Sequence, residues 1–341
     1  VIKPRDFLIT IAGTIGKVAI VPDEFPESNC NQAIAILRFD NAKLHPEYLF
    51  HWLHTQDALQ QITGKKVTAT ISNLSLGQIK NLEIPLPPLT QQKQIAAILD
   101  AADSLRQKDQ QLVEHYTALS QSLFLEMFGD SASNPMEWGI SSLKSLTTKI
   151  GSGATPRGGK NAYRNDGVSL IRSLNIHDNK FLMKDLAHIN DEQSSDLSNV
   201  IVEKQDVLLN ITGASVCRCA IVPFDVLPAR VNQHVCIIRT DKTKLNPVFL
   251  LHLIISAQFK QKILAVAGAG GATREALTKK DVEDLNILLP PIELQNQFAE
   301  RIAIIEQQKQ QAQINLQKSE ALFNSLLQRA FTGELTADKA A

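Results

Sequence analysis

The 341-residue sequence predicts an α+β fold: two mixed α/β domains, the first N-terminally incomplete, separated by two long antiparallel coiled-coil-like helices. Three observations predict it. Residues 89–128 and 292–331 contain no Gly or Pro and are dense in Gln, Ala, Leu, Lys and Glu, a helix-forming composition. The remaining stretches carry short runs of Ile, Val and Phe bounded by Gly, Pro and Asn, which read as strands. Finally, the chain repeats itself once, at an offset that drifts only from 200 to 203, far too long a period for a solenoid.

The repeat is visible residue by residue. Asp6-Phe-Leu-Ile-Thr-Ile-Ala-Gly13 returns as Asp206-Val-Leu-Leu-Asn-Ile-Thr-Gly213. Ala19-Ile-Val-Pro22 returns as Ala220-Ile-Val-Pro223, and Asn31-Gln32 as Asn232-Gln233. Lys43-Leu-His-Pro46 matches Lys244-Leu-Asn-Pro247, and Leu82-Glu-Ile-Pro-Leu-Pro-Pro88 matches Leu285-Asn-Ile-Leu-Leu-Pro-Pro291. Residues 131–205 have no counterpart, because the first copy would place them before residue 1. The front of a first unit is therefore expected to be missing, or the order permuted, with Val1 a cut inside a domain.

Each element follows from local pattern. Residues 6–12, 18–22 and 33–39, and again 206–211, 219–223 and 234–239, have strand character. Tyr48–Ile62 and Val248–Val266 have helical spacing, each entered through a His-Pro or Asn-Pro turn. Each unit should close with a strand just before its Pro-Pro. In the long helices, apolar and small residues recur at heptad-like spacing: Leu99, Ala102, Val113, Tyr116 and Leu123, then Ile302, Ile305, Ala312, Leu316, Phe323 and Leu326. A lone rod has nothing to bury that stripe against, so the two are expected to pair antiparallel; two surface helices lying on their own domains are the alternative. The expected organisation is 1–88, first domain; 89–130, first helix; 131–289, second domain; 290–333, second helix; and 334–341, a flexible tail.

A net charge of zero conceals segregation. Residues 89–137 hold 3 basic and 7 acidic groups, whereas 138–289 hold 19 and 14. Within 144–184 Lys144, Lys149, Arg157, Lys160, Arg164, Arg172, Lys180 and Lys184 face Asp166 and Asp178 alone. Cations beside Gly-rich loops and amide side chains suit phosphates and base edges, although a solvated surface with ordinary lysines has the same composition. No apolar run approaches the roughly 18–20 residues that span a bilayer. Four cysteines in so long a chain suggest reduced thiols and a cytoplasmic setting.

Several chemistries fail on spacing. Gly151–Lys160 does not match a P-loop, since Ala154 and Asn161 stand where Gly and Ser/Thr are needed. Cys217 and Cys219 lack metal-type spacing, no Gly-x-Ser-x-Gly elbow or dinucleotide fingerprint occurs, and Asn134-Pro135 is followed by Met136 rather than a second Pro. No catalytic or metal site is expected.

Leu86-Pro-Pro-Leu-Thr-Gln-Gln-Lys-Gln-Ile95 and Leu289-Pro-Pro-Ile-Glu-Leu-Gln-Asn-Gln-Phe298 each lead into a long Gln-rich helix. With Trp138-Gly139, Gly153-Ala-Thr-Pro156, Ile211-Thr-Gly213 and Asn232-Gln233, this duplicated order resembles the specificity (S) subunit of type I restriction-modification systems. The resemblance implies two target recognition domains, each reading half of a bipartite, asymmetric double-stranded DNA sequence. It also implies that the paired helices act as spacer and dock methyltransferase subunits, two in number, with restriction/translocase subunits joining through them. The chain would be non-catalytic and carry no cofactor, with S-adenosylmethionine, ATP and Mg on partner subunits. Self-association is a further expectation, given the shortened first domain.

Candidate DNA-contacting residues follow from side-chain chemistry and loop placement: Lys65, Lys66, Thr68 and Thr70 in the first unit, and Arg157, Lys160, Asn161, Arg164, Arg172, Asn175 and Arg274 in the second. Two other classes remain open: a coiled-coil scaffold without a nucleic-acid role, and the recognition module of a single-chain restriction enzyme.

Overall fold

The computed structural model describes residues 1–63, 73–156, 158–159, 163–268 and 276–335. Two compact units divide the chain, Val1–Glu114 with Lys309–Ala341, and His115–Gln308, so both boundaries fall within the two long helices.

In the first unit, β1 (Phe7–Thr10) is flanked by β2 (Val18–Ile20) and β3 (Ile34–Leu37) in an antiparallel sheet, with Phe7 opposite Leu37. Alternation along β1 turns Phe7 and Ile9 inward against Trp52, Leu53, Ala58 and Ile62. These last come from two short helices, α1 (Pro46–Trp52) and α2 (Gln56–Thr63), where the periodicity suggested one. The break has a local cause: the Thr55 hydroxyl donates to the Trp52 carbonyl and accepts the Ala58 N–H, ending one helix and starting the next. A short helix, α3 (Leu76–Lys80), starts at a Ser75/Gln78 capping box.

The long helices α4 (Leu89–Phe128) and α9 (Ile292–Phe331) each contribute one part to each unit. In the first unit Ile95, Ala96 and Leu99 of α4 pack with Phe323, Leu326 and Ala330 of α9. Arg106, further along α4, lies 5.4 Å from the Phe323 ring centre, so the two segments run antiparallel. Leu99, Ala102 and Ala312 are buried; Val113, Leu316, Phe323 and Leu326 are half-buried on the same stripe.

The second unit holds two four-stranded sheets. One is antiparallel, β12 (Cys219–Ile221), β11 (Val207–Asn210), β14 (Val235–Thr240) and β5 (Thr147–Ser152) in that order. The other is β10 (Ile201–Val202), β13 (Ala229–Val231), β6 (Val168–Ile171) and β9 (Ala187–Ile189), with β13 and β6 parallel. Two short strands, β7 (Ile176–His177) and β8 (Lys180–Phe181), form a ribbon, and α5 (Asp191–Asp196) follows β9. β11 and β14 are buried on both faces, which explains their unbroken apolar runs. Helices α6 (Pro247–Ile255) and α7 (Ala257–Gly268) again divide a segment that reads as one helix; extended backbone at Ser256 produces a 75° bend. A five-residue helix, α8 (Lys279–Glu283), starts at a Thr278/Asp281 capping box, as α3 does at its own. The end of α4 meets the start of α9 through Phe124, Phe128, Phe249 and Phe298, with ring centres 4.7–5.8 Å apart. Ile302 is buried with them, and Tyr116, Leu123 and Ile305 are half-buried.

The expected closing strand forms in one repeat only. Asn286–Leu289 becomes β15 because β4 (Gly139–Ser142) pairs with it; residues 82–85 carry no strand, since the repeat holds no described counterpart of β4 beside them. All four cysteines are free thiols, and Cys217, Cys219 and Cys236 are buried.

Candidate nucleic-acid interface

The repeat is a repeat of hydrogen bonds before it is a site. Gln295, fully buried at the start of α9, accepts the Asn246 N–H at 2.9 Å and donates to the Lys244 and Pro290 carbonyls. Gln92, at the start of α4, accepts the His45 N–H at 2.9 Å and donates to Lys43 and Pro87. Each glutamine thus clamps the Pro-Pro helix entry to the loop before α1 or α6, which is the physical reason for Gln at this place in both motifs.

Elsewhere in the second unit three short motifs converge. Gly153 donates its N–H to the Asn232 carbonyl at 3.2 Å, and a Cβ at Gly153 would lie 1.7 Å from the Val231 carbonyl oxygen, so only glycine fits. This approach brings Thr155 to Gln233, whose side-chain oxygen accepts the hydroxyl hydrogen bond. Gln233 Nε2 lies 3.1 Å from His234 Nε2, and His234 Nδ1 lies 2.6 Å from the Thr212 hydroxyl. Asn232 shapes the turn by accepting the His234 N–H at 3.0 Å. Thr155 and Gln233 are exposed and Thr212 and His234 half-buried, a patch of hydroxyl, amide and imidazole groups suited to base edges. Asn31 accepts the Ala33 N–H at 3.0 Å in the first unit, the same turn.

The predicted site residues fare differently. Lys65, Lys66, Thr68, Thr70, Arg157, Lys160, Asn161 and Arg274 lie outside the described residues. Arg164 is exposed, its backbone N–H bonded to the His188 carbonyl at 2.9 Å on the edge beside β9. Arg172 sits 5.0 Å from the Tyr163 ring centre and donates to the Asp185 carbonyl, which holds its guanidinium against the protein. Asn175 is corrected: it is fully buried, its oxygen accepts the Arg172 N–H at 3.1 Å, and its amide donates to Leu182 at 2.9 Å and Lys184 at 3.3 Å. It shapes the turn after β6 and presents nothing to a ligand.

The other cations divide similarly. Lys149 donates to the Asn199 carbonyl at 2.7 Å, while Lys144 and Lys279 share Glu283. Lys180 and Lys184 are exposed. Thr155, Thr212, Gln233 and His234 are not among the residues that side-chain chemistry singled out; their signal lay in the motifs themselves, whose loops meet. Among the described residues no cluster of His, Cys, Asp and Glu could hold a metal ion. No single described helix is long and apolar enough to cross a membrane.

Comparison with known proteins agrees with this architecture. The family model for the type I restriction modification DNA specificity domain matches residues 1–115 and 135–318. A putative type I restriction enzyme MjaX specificity subunit from Methanocaldococcus jannaschii is 28% identical over 314 residues, covering 86% of this chain and 68% of that protein. The EcoBI specificity subunit from Escherichia coli is 25% identical over 337 residues, covering 90% and 69%. In fold, the chain is similar to a type I restriction-modification S subunit from M. genitalium, at a TM-score of 0.62 and 15% identity, covering 96% of this chain and 83% of that one. With the duplicated helix-entry motif, the two mixed units and a family match over both, the chain belongs to the type I restriction-modification DNA specificity family.

Proposed function

We propose that the chain addresses a type I complex to a two-part DNA sequence, each mixed unit reading one half-site, and docks methyltransferase subunits along its long helices. The observation that carries this reading is the convergence of the 153–156, 211–213 and 232–234 loops into one hydrogen-bonded polar patch, exposed at Thr155 and Gln233. Such a patch offers hydroxyl, amide and imidazole donors and acceptors side by side, which suits readout of base edges. The Gln92 clamp and the Asn31 turn recur in the first unit, which supports a second reader built on the same repeat.

Docking is supported by α4. Its inward stripe is covered, yet Ile98, Leu105 and Leu112, seven residues apart, are each at least 39% exposed. A second apolar line at heptad spacing suits a partner helix. Methyl transfer with S-adenosylmethionine, and ATP- and Mg-dependent restriction, would belong to those partners.

The test is co-expression with a methyltransferase subunit and a genome-wide methylation readout. A methylated motif in two parts separated by a fixed gap is expected. An intact complex that methylates no two-part motif would overturn the reading.

A further inference from the structure

The open side of β3 in the first unit corresponds to a position that the second unit fills with its own chain. There β5 pairs with the outer edge of β14, Ile150 opposite Ile238. The 3-10 turn before β5, Leu143–Leu146, drives Leu143 and Leu146 into a cluster with Ile238, Leu245, Val282, Leu285 and Ile287. These five receiving side chains are at most 4% exposed. Backbone bonds lock the segment in place: Leu143 N–H to the Leu285 carbonyl and Asp241 N–H to the Leu146 carbonyl, at 2.8 and 2.9 Å.

The first unit repeats the receiving half of this arrangement. Phe7 pairs with Leu37 as Val207 pairs with Ile238, so β3 stands in the register of β14. Leu37, Leu44, Ile79, Leu82 and Ile84 occupy the positions of the five receiving side chains. Among the described residues β3 pairs with β1 alone. Leu37, Leu44, Leu82 and Ile84 are only half-buried, and with Ile79 they line an open groove of about 380 Å³. An apolar groove beside an unpaired strand edge is a template for an added strand.

We infer that this groove takes up an extended peptide segment of the strand–Leu-x-x-Leu–strand kind that residues 139–152 form. The occupant is specified by the second unit. Two leucines three residues apart fill the floor, the flanking strands extend β3 and pair with residues 82–85, and the Leu82 carbonyl and Asp40 N–H take the places of the Leu285 carbonyl and Asp241 N–H.

The test supplies that segment to the whole chain. A second copy of residues 137–153 is joined ahead of Val1 by a Gly/Ser linker of about 30 residues, which holds it near the groove at an effective concentration in the millimolar range. Against the same fusion with L143D and L146D in the added copy, the first thermal transition is expected about 3 °C or more higher. Exchange of the Asp40 amide hydrogen should be at least about ten-fold slower, as for an amide newly bonded in a sheet. Equal midpoints and equal exchange in the two fusions overturn the proposal. So does protection of Asp40 in the unextended protein that grows with protein concentration, which assigns the groove to a second copy of the chain.

Discussion

Arg239 holds Asp206 with two parallel hydrogen bonds, Nε to Oδ1 at 2.8 Å and Nη2 to Oδ2 at 2.9 Å. Arg38 holds Asp6 in the same way, at 2.6 and 2.7 Å. Both carboxylates also accept a backbone N–H from three residues upstream, Glu203 or Lys3, at 2.7 Å. Each pair ties the start of its unit's central strand, β11 or β1, to the neighbouring β14 or β3. Asp206 has no exposed side-chain surface, so removing it takes two hydrogen bonds from the half-buried Arg239 guanidinium, which keeps those to Glu203 and the Ile201 carbonyl, and leaves the Glu203 N–H without its partner. Asp206→Ala is expected to cost about 3 kcal/mol in urea unfolding of the second unit, somewhat less than a fully buried pair because Arg239 is partly solvated. A loss under about 1 kcal/mol would mean that water replaces the carboxylate at little cost.

The Asp6 pair predicts a pH dependence. Hydrogen bonds from Arg38 hold the Asp6 carboxyl below the usual carboxylate range, against burial that pushes it up. A folded value below the unfolded one, about 3.9, means stability fully present above that value and lost as pH falls through the lowered one. The difference in urea midpoint between wild type and Asp6→Asn should therefore be constant above about pH 5 and shrink below about pH 4. A difference that stays constant down to about pH 2 would remove Asp6 from the acid sensitivity of the first unit.

Gln92 and Gln295 provide a matched pair of substitutions. Each makes three hydrogen bonds from a buried site, and Ala in either place leaves backbone groups unpaired. At about 1 kcal/mol per bond, each variant should lose about 2–3 kcal/mol, and the double variant their sum, since no partner is shared. Chemical denaturation followed by circular dichroism measures both. Glu at either position should be worse than Ala, because it cannot donate to the carbonyls at Lys43 and Pro87, or Lys244 and Pro290.

What was legible in the sequence was whatever repeats or has a strict period. The strands around Phe7 and Val207, the long helices beginning at Leu89 and Ile292, and the stripe through Leu99 and Ile302 all follow from spacing. What escaped depends on partners distant in sequence. Residues 82–85 have the composition of β15 but not its neighbour, and pairing decides whether an apolar run becomes a strand. Asn175 resembles a recognition amide until its carbonyl partners at Leu182 and Lys184 come into place. The helix breaks at Thr55 and Ser256 were missed because a hydroxyl that bonds backbone acts without disturbing periodicity.

The thiols make a simple prediction. Burial raises the Cys219 thiol far above its ordinary value and pushes Cys236 up to about 12, while Cys217 has no exposed surface. The thiolate is the reactive form, so none of these three should react in the folded protein. Titration with a thiol reagent should find one fast group, Cys30, which is half-buried, and three more only in denaturant. Fast reaction of a Cys30→Ser variant would show that the β11–β12–β14 region opens under native conditions.

Arg164 and Gln233 separate the two ways a protein holds DNA. Arg164 is exposed, and a phosphate contact through it would contribute attraction that salt screens and sequence does not alter. Gln233 is an uncharged amide in the patch with Thr155 and His234, and a contact through it would discriminate bases without changing counterion release. With the assembled methyltransferase complex and a cognate duplex, Arg164→Ala should lower the magnitude of the slope of log K against log salt by about 1, weakening cognate and non-cognate DNA alike. Gln233→Ala should leave that slope unchanged and reduce the preference for cognate DNA by about 1–3 kcal/mol. The two effects should then add in the double variant, because a charge-neutralising contact and a base contact draw on separate terms of the binding free energy. An Arg164→Ala slope equal to wild type moves the phosphate contact elsewhere in the basic unit. An unchanged preference in Gln233→Ala removes the converging loops from base recognition and leaves their hydrogen bonds a purely architectural role.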